Sequence, residues 1–232
     1  MGAVYNRGGL GAIATATNLT GLNSTTGLTV AFWHRSRPDA PNTYASDVFA
    51  QRSTANISRD GFVVYFQSRG LVLLLCGSAA TTASSMGVSN TRLESGKWAH
   101  YAITYDAASQ IVVFYRDGQP ITSGSNTRVV TANAACTTEF GQGSYQQGAN
   151  HSLFDFQYAV NTALNAADVA ALMNPRHRDG RITARYFGLG TGGYAASGVV
   201  LDETGNGFNV TANASAAAST LTDLPPYLPT LA

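Results

Sequence analysis

The segment Lys97–Gly118, KWAHYAITYDAASQIVVFYRDG, constrains the fold of this chain more than any other. Its two apolar runs, Trp98–Tyr105 and Ile111–Tyr115, are rich in aromatic and β-branched residues, which suit a pleated, half-buried surface. Asp106–Gln110 is a short polar connection between them. Asp117-Gly118 then supplies the dipeptide that best tolerates the positive φ values of a tight hairpin turn. The segment reads as one hairpin that at once begins another.

The rest of the chain follows the same grammar. Leu28–His34 alternates, with Leu28, Val30, Phe32 and His34 on one side and Thr29, Ala31 and Trp33 on the other. Further strands are expected near 11–17, 47–52, 61–67, 71–76, 119–122, 137–141, 152–160, 181–187 and 207–212, with Pro120 placing its strand at an edge. The small, polar stretch 79–89 reads as a surface loop. Ala166, Val169, Ala170 and Met173 recur at helical spacing, so one short helix is expected near 165–173, capped by Thr162 or Asn165 and stopped by Pro175. Ten to fourteen short strands and one helix predict an all-β, two-sheet antiparallel sandwich. No internal repeat or linker divides it, so residues 1–232 read as one domain. The end, 224–232, carries three of the seven prolines and reads as an extended tail, or as an arm on a neighbouring subunit.

Composition narrows the function. A net charge of +1 and 12% charged residues leave no basic footprint for nucleic acid. No run reaches the ~18 apolar residues that a membrane helix needs. The start, MGAVYNRGG, lacks the basic-then-apolar layout of a secretory signal. The chain is therefore expected to work inside a cell, to assemble into a particle there, or to be a mature fragment. Of the two cysteines, Cys76 ends an apolar run and reads as a buried thiol; a bridge to Cys136 stays open on spacing alone.

The residues Gly96-Lys-Trp98-Ala-His100-Tyr-Ala-Ile-Thr104-Tyr-Asp106, followed by Val113-Phe-Tyr-Arg-Asp117-Gly118, resemble the signature segment of LamG-like jelly-roll domains, which group with concanavalin A-like lectins and glucanases. Leu28–Trp33 is similar to an early strand of that family. Leu153–Tyr158 with Ala163–Leu172 is similar to its late strand and short helix, and Asp202-Glu-Thr-Gly-Asn-Gly207 to its D-x-S-G-N-G turn. That turn often precedes the first strand in the family, and here it follows the helix. A circularly shifted layout, with the final strands completing the sandwich, is one account. The resemblance implies a jelly-roll sandwich with Trp98 and His100 as packing and hydrogen-bonding parts. It says little of activity, because one scaffold carries many functions.

The chemistry-bearing residues are sparse. Glycoside hydrolysis needs two acids around one sugar. Glu94, Glu139 and Glu203 are the only glutamates, and none has an acid two residues away. Calcium ligation would rest on Asp155, Asp202 and Asn206. Their plainer roles are backbone bonding for Asp155 and turn closure for the other two. His34, His100, His151 and His177 do not pair at zinc-ligand spacing, and His100 reads as a hydrogen-bonded sandwich histidine. Tyr44, Tyr145, Tyr186, Tyr194 and Tyr227, in or near loops, are the aromatic surfaces on which a sugar would stack. The sequence thus names no catalytic, metal or cofactor residue. It leaves a non-enzymatic protein acting by surface contact. One setting is a bacteriophage virion surface, as a capsid decoration or tail accessory protein bound to virion proteins or to copies of itself. The other is a carbohydrate-binding module or adhesin, extracellular or on a cell surface.

Overall fold

The computed structural model describes residues 3–5, 14–17, 24, 26–36, 46–53, 61–67, 70–76, 84–87, 96–125, 136–140, 151–186, 199–212 and 217–219. In chain order the strands are β1 (Ala3–Tyr5), β2 (Ala14–Thr17), β3 (Gly27–Ser36), β4 (Ser46–Ser53), β5 (Gly61–Gln67), β6 (Gly70–Cys76), β7 (Ser84–Gly87) and β8 (Trp98–Asp106). Then come β9 (Ile111–Arg116), β10 (Gln119–Ser125), β11 (Cys136–Phe140) and β12 (His151–Val160). The helix α1 (Ala166–Leu172) is followed by β13 (Ala184–Tyr186), β14 (Val199–Val200), β15 (Val210–Ala212) and β16 (Ala217–Ser219).

They form two antiparallel sheets. The first runs β10-β9-β8-β3-β12-β1-β16, with β13 also pairing β12; the second runs β14-β15-β2-β11-β4-β5-β6-β7. The opening hairpin of the sequence is β8–β9, and its Asp117-Gly118 turn, with φ of 49° and 74°, returns the chain as the edge strand β10. The last strands do complete the sandwich, since β14 and β15 extend the second sheet beyond β2 and β16 extends the first beyond β1. Three sequence expectations change. Stretch 79–89 contains strand β7, an edge strand whose Ser-Ser-Met-Gly composition gives no strand signal. Residues 181–183 and 207–209 are not strand, and the pairings begin only at Ala184 and Val210. Strands β1, β14 and β16 are two or three residues long, too short to show a period.

Between the sheets lies an aromatic core. Phe32 stacks on Phe156 at 6.2 Å, Phe49 packs on Phe156 at 4.7 Å, and Phe140 meets Tyr186 edge-on at 5.2 Å. The alternation of β3 is realised as read, with Leu28, Val30 and Phe32 in this core and Ala31 and Trp33 on the opposite face. That opposite face is also buried, because α1 and the chain after it lie across it. Ala31, Ala102, Tyr115 and Ala159 pack there with Leu164, Val169, Leu172 and Ile182. The seven-residue helix is too short to stand on propensity, so this packing holds it. Asn165 caps it, accepting from the backbone N–H of Ala167 and Asp168, while Asp168 accepts from that of Asn165. Among the described residues no helix is long and apolar enough to cross a membrane.

The backbone also decides the cysteine question. Cys76 pairs with Gly61 on β5, Gly61 with Arg52 on β4, and Arg52 with Thr137, next to Cys136 on β11. Three inter-strand spacings therefore separate the two cysteines, about 14 Å at the usual strand separation. A disulfide needs Cα atoms within roughly 7 Å. Titration with a thiol reagent in denaturant without reductant is expected to count both thiols of each chain.

Candidate functional site

The polar residues singled out from the sequence gather on the outer face of the first sheet, beneath the chain that follows α1. The register of β12 on β3 places Phe154 opposite Trp33 and Gln157 opposite Ala31, so three steps on one strand match two on the other. Asp155 is the extra residue, with φ of 48°, a conformation Asp tolerates better than most. The bulge resets the alternation. Leu153 and Phe156 both face the inter-sheet core, Phe154 lies with Trp33, and the Asp155 carboxylate is left fully buried.

Arg185 on β13 meets that carboxylate. Its Nε donates to Oδ1 and its Nη2 to Oδ2, each at 2.7 Å. The same guanidinium donates to the carbonyls of Pro175 and His177, and Gln157 donates to Asp155 Oδ2 at 3.2 Å and to the Leu172 carbonyl at 3.0 Å. Burial pushes the Asp155 carboxyl above its ordinary value, and Arg185 pulls the other way. Asp155 thus bonds side chains, a correction to the backbone role read from the sequence.

Asp202 extends the network. Its Oδ1 accepts from the backbone N–H of Arg185 and of Thr204, both at 3.0 Å, and its Oδ2 accepts from the Phe208 N–H at 3.2 Å. It closes its turn, as expected. Asn206 instead docks that turn, donating to the Thr183 carbonyl at 2.9 Å. Arg185 thus brings Asp155 and Asp202 together, yet their oxygens are turned to N–H and O–H donors and do not form an oxygen cage. Among the described residues no three of His, Cys, Asp and Glu converge as a metal site.

Other candidates resolve as follows. His100 is fully buried, with the Trp33 ring 5.4 Å away. Its backbone N–H donates to Asp117 Oδ1 at 2.9 Å, but neither ring nitrogen has a hydrogen-bond partner, so the histidine is packed and not satisfied. Burial holds its pKa down, at about 3. Trp98 is half-buried beside the Trp33–Phe154 pair. Tyr186 is buried, its hydroxyl donating to the Phe208 carbonyl at 2.6 Å, and offers no face to a sugar. Tyr44, Tyr145, Tyr194 and Tyr227, Glu94 and the 224–232 tail lie outside the described residues, as do the side chains of Glu139 and His151.

A family model described as concanavalin A-like lectin/glucanases superfamily matches residues 7–170. The chain belongs to that superfamily. The match takes in the signature hairpin, the bulged strand and the start of α1, and ends before the Asp202 turn. No curated protein matches the sequence. Among solved structures, a putative carbohydrate binding protein from Bacteroides ovatus is similar over 98% of this chain, at 13% identity and a TM-score of 0.69; the chain spans 62% of its length. A heptameric SAP-like pentraxin from Limulus polyphemus is similar over 74% of the chain and 81% of its own, at 15% identity and a TM-score of 0.51. The binding domain of botulinum neurotoxin DC in complex with SialylT is similar over 71% of the chain and 39% of its own, at 18% identity and a TM-score of 0.51. At these identities the likeness is one of fold.

Two outcomes test the site. Asp155→Asn leaves Arg185 buried without its counter-charge and should cost about 3–5 kcal/mol in urea unfolding, whereas Asp155→Asn combined with Arg185→Met should recover a large part of that loss. For His100, the ordinary value of 6.5 describes the unfolded chain, and the folded value is near 3. The folded protein therefore binds fewer protons inside that window. The titration of His100 should cost nothing above 6.5 and should erode stability as pH falls from 6.5 towards 3, by up to about 1.4 kcal/mol per pH unit. The His100→Leu variant should lack this contribution, visible as a shallower fall in unfolding free energy across the window.

Proposed function

We propose that this chain is a non-catalytic binding module of lectin type whose ligand is a glycan, with residues 1–232 forming one domain. The observation that carries the reading is the match to a putative carbohydrate binding protein over 98% of the chain. The acids support it. A glycosidase needs one carboxyl protonated and a second ionised around the same bond. Asp168 and Asp179 do lie close together, both on Arg181, at 2.8 and 2.6 Å. Their hydrogen bonds to Arg181 hold each below the ordinary carboxylate range, so neither keeps a proton near neutral pH. Asp155, whose carboxyl is raised, is sealed from any substrate.

The setting is a separate question. A place on a virion surface, among virion proteins or copies of this chain, rests on the sequence reading, chiefly the single domain, the low-charge, Gly-, Thr- and Ala-rich composition and the Pro-rich end, and the likeness to lectin-type folds adds nothing to it. The glycan reading has a direct test. On an array carrying neutral, sialylated and sulfated glycans, the purified protein should bind a defined subset, with micromolar affinity in calorimetry and no release of reducing sugar. Silence across the array would overturn the reading, and sugar release would replace it with hydrolysis.

A further inference from the structure

The inner face of the second sheet holds buried polar groups that none of the described residues pairs. On the β4–β11 ladder Phe49 lies opposite Phe140, and Gln51 lies opposite Thr138. Phe49 and Phe140 belong to the core between the sheets, with their rings 5.0 Å apart. Side chains two positions along a strand share a face, so Gln51 and Thr138 point into the same interior. Both are 1% exposed. Neither amide atom of Gln51, nor the Thr138 hydroxyl, has a hydrogen-bond partner among the described residues. On its other side Gln51 faces Phe62, whose ring packs 5.8 Å from Tyr158, so the surroundings are aromatic.

Directly opposed residues carry Cβ atoms about 5 Å apart, so the unpaired N–H, C=O and O–H groups belong to neighbouring side chains in one interior. Each, left alone, costs about 1–3 kcal/mol of desolvation, which a marginally stable fold does not carry three times over without cause. The partner must donate to the amide oxygen and accept from the amide nitrogen. It must be small enough for a packed interior, and uncharged, because neither Gln51 nor Thr138 carries a charge. Water meets all four conditions, and buried water typically makes two to four such bonds.

We infer that Gln51 and Thr138 form an internal hydration site in the sandwich, in which a long-lived water bridges the amide and the hydroxyl. The site is integral to the core and independent of any glycan bound at the surface. It also fixes the β4–β11 register, because a one-residue slip would turn Gln51 to the opposite face and break the bridge.

Two measurements on the full chain test it. In the wild-type protein, water–protein NOE and ROE spectra should show the Gln51 side-chain NH2 in contact with a slowly exchanging water. Thr138→Val and Gln51→Met should each lower the folding equilibrium constant about tenfold, because each strands the remaining polar group. The double variant, with no polar group left, should recover most of that loss. Absence of the water cross-peak would overturn the inference, as would a double variant that loses the full product of the two single effects. If a single variant does not fold, the wild-type spectrum alone decides.

Discussion

The buried pairing of Arg185 with Asp155 is the interaction on which the outer half of this molecule depends. All three guanidinium nitrogens are used at once, Nε and Nη2 on the carboxylate, and Nη1 and the shared Nη2 on the His177 and Pro175 carbonyls respectively. The main-chain N–H of the same residue reaches Asp202. One residue thereby ties the bulge of β12, the chain leaving α1, the strand β13 and the 202–208 turn. Desolvating two charges costs several kcal/mol per ion, recovered only where the geometry is good and the spare donors are filled. Here both conditions hold, and a lysine would meet neither, since it has no planar fork. The pair contributes placement more than net stability.

A second constraint is steric. For α1 to lie on the first sheet, the residues under it must be small, and Ala31, Ala102 and Ala159 are. Gly118 completes the seat. A Cβ built there would sit 2.7 Å from the Met173 sulfur and 3.2 Å from the Ala170 Cα, and its φ of +74° already disfavours other residues. The Asp117-Gly118 pair therefore turns the hairpin and also lets the helical cover approach. Asp117 adds a third role, its carboxylate accepting from the His100 N–H.

What the sequence reveals and what it hides divide along these lines. The hairpin, the alternation of β3, the capped helix and the Asp202 turn are local, and each could be read from a few neighbouring residues. The bulge at Asp155 is local as well, yet it imitates a regular strand, because Leu-Phe-Asp-Phe-Gln-Tyr fits either phase. Its sign was the lone acid in an apolar run. Arg185, between Ala184 and Tyr186, is the matching lone base, and two opposite charges stranded in apolar strands should have been read as a buried pair. Gln51 and Thr138 were hidden for another reason: each looks like an ordinary outward polar residue until the register is known. Strand β7 exists because β6 offers it an edge, not because its own residues favour a strand.

The way polar groups are paired explains why no catalytic constellation forms among the described residues. The six aspartates whose side chains are described all have protein partners: Asp106 with Ser109, Asp117 with His100, Asp155 with Arg185, Asp168 and Asp179 with Arg181, and Asp202 with its own turn. Among the described residues only Glu203 is an exposed carboxylate with no hydrogen bond or ion pair to its side chain, and a single acid cannot both protonate and stabilise. Carboxylates here act as hinges and caps, holding backbone in bulges, turns and helix ends. With 12% charged residues in the sequence, a ligand meeting this surface is offered mainly hydroxyls, amides and main-chain groups. Hydroxyls and amides donate and accept in turn, so such a surface pairs with neutral polar groups more readily than with ions.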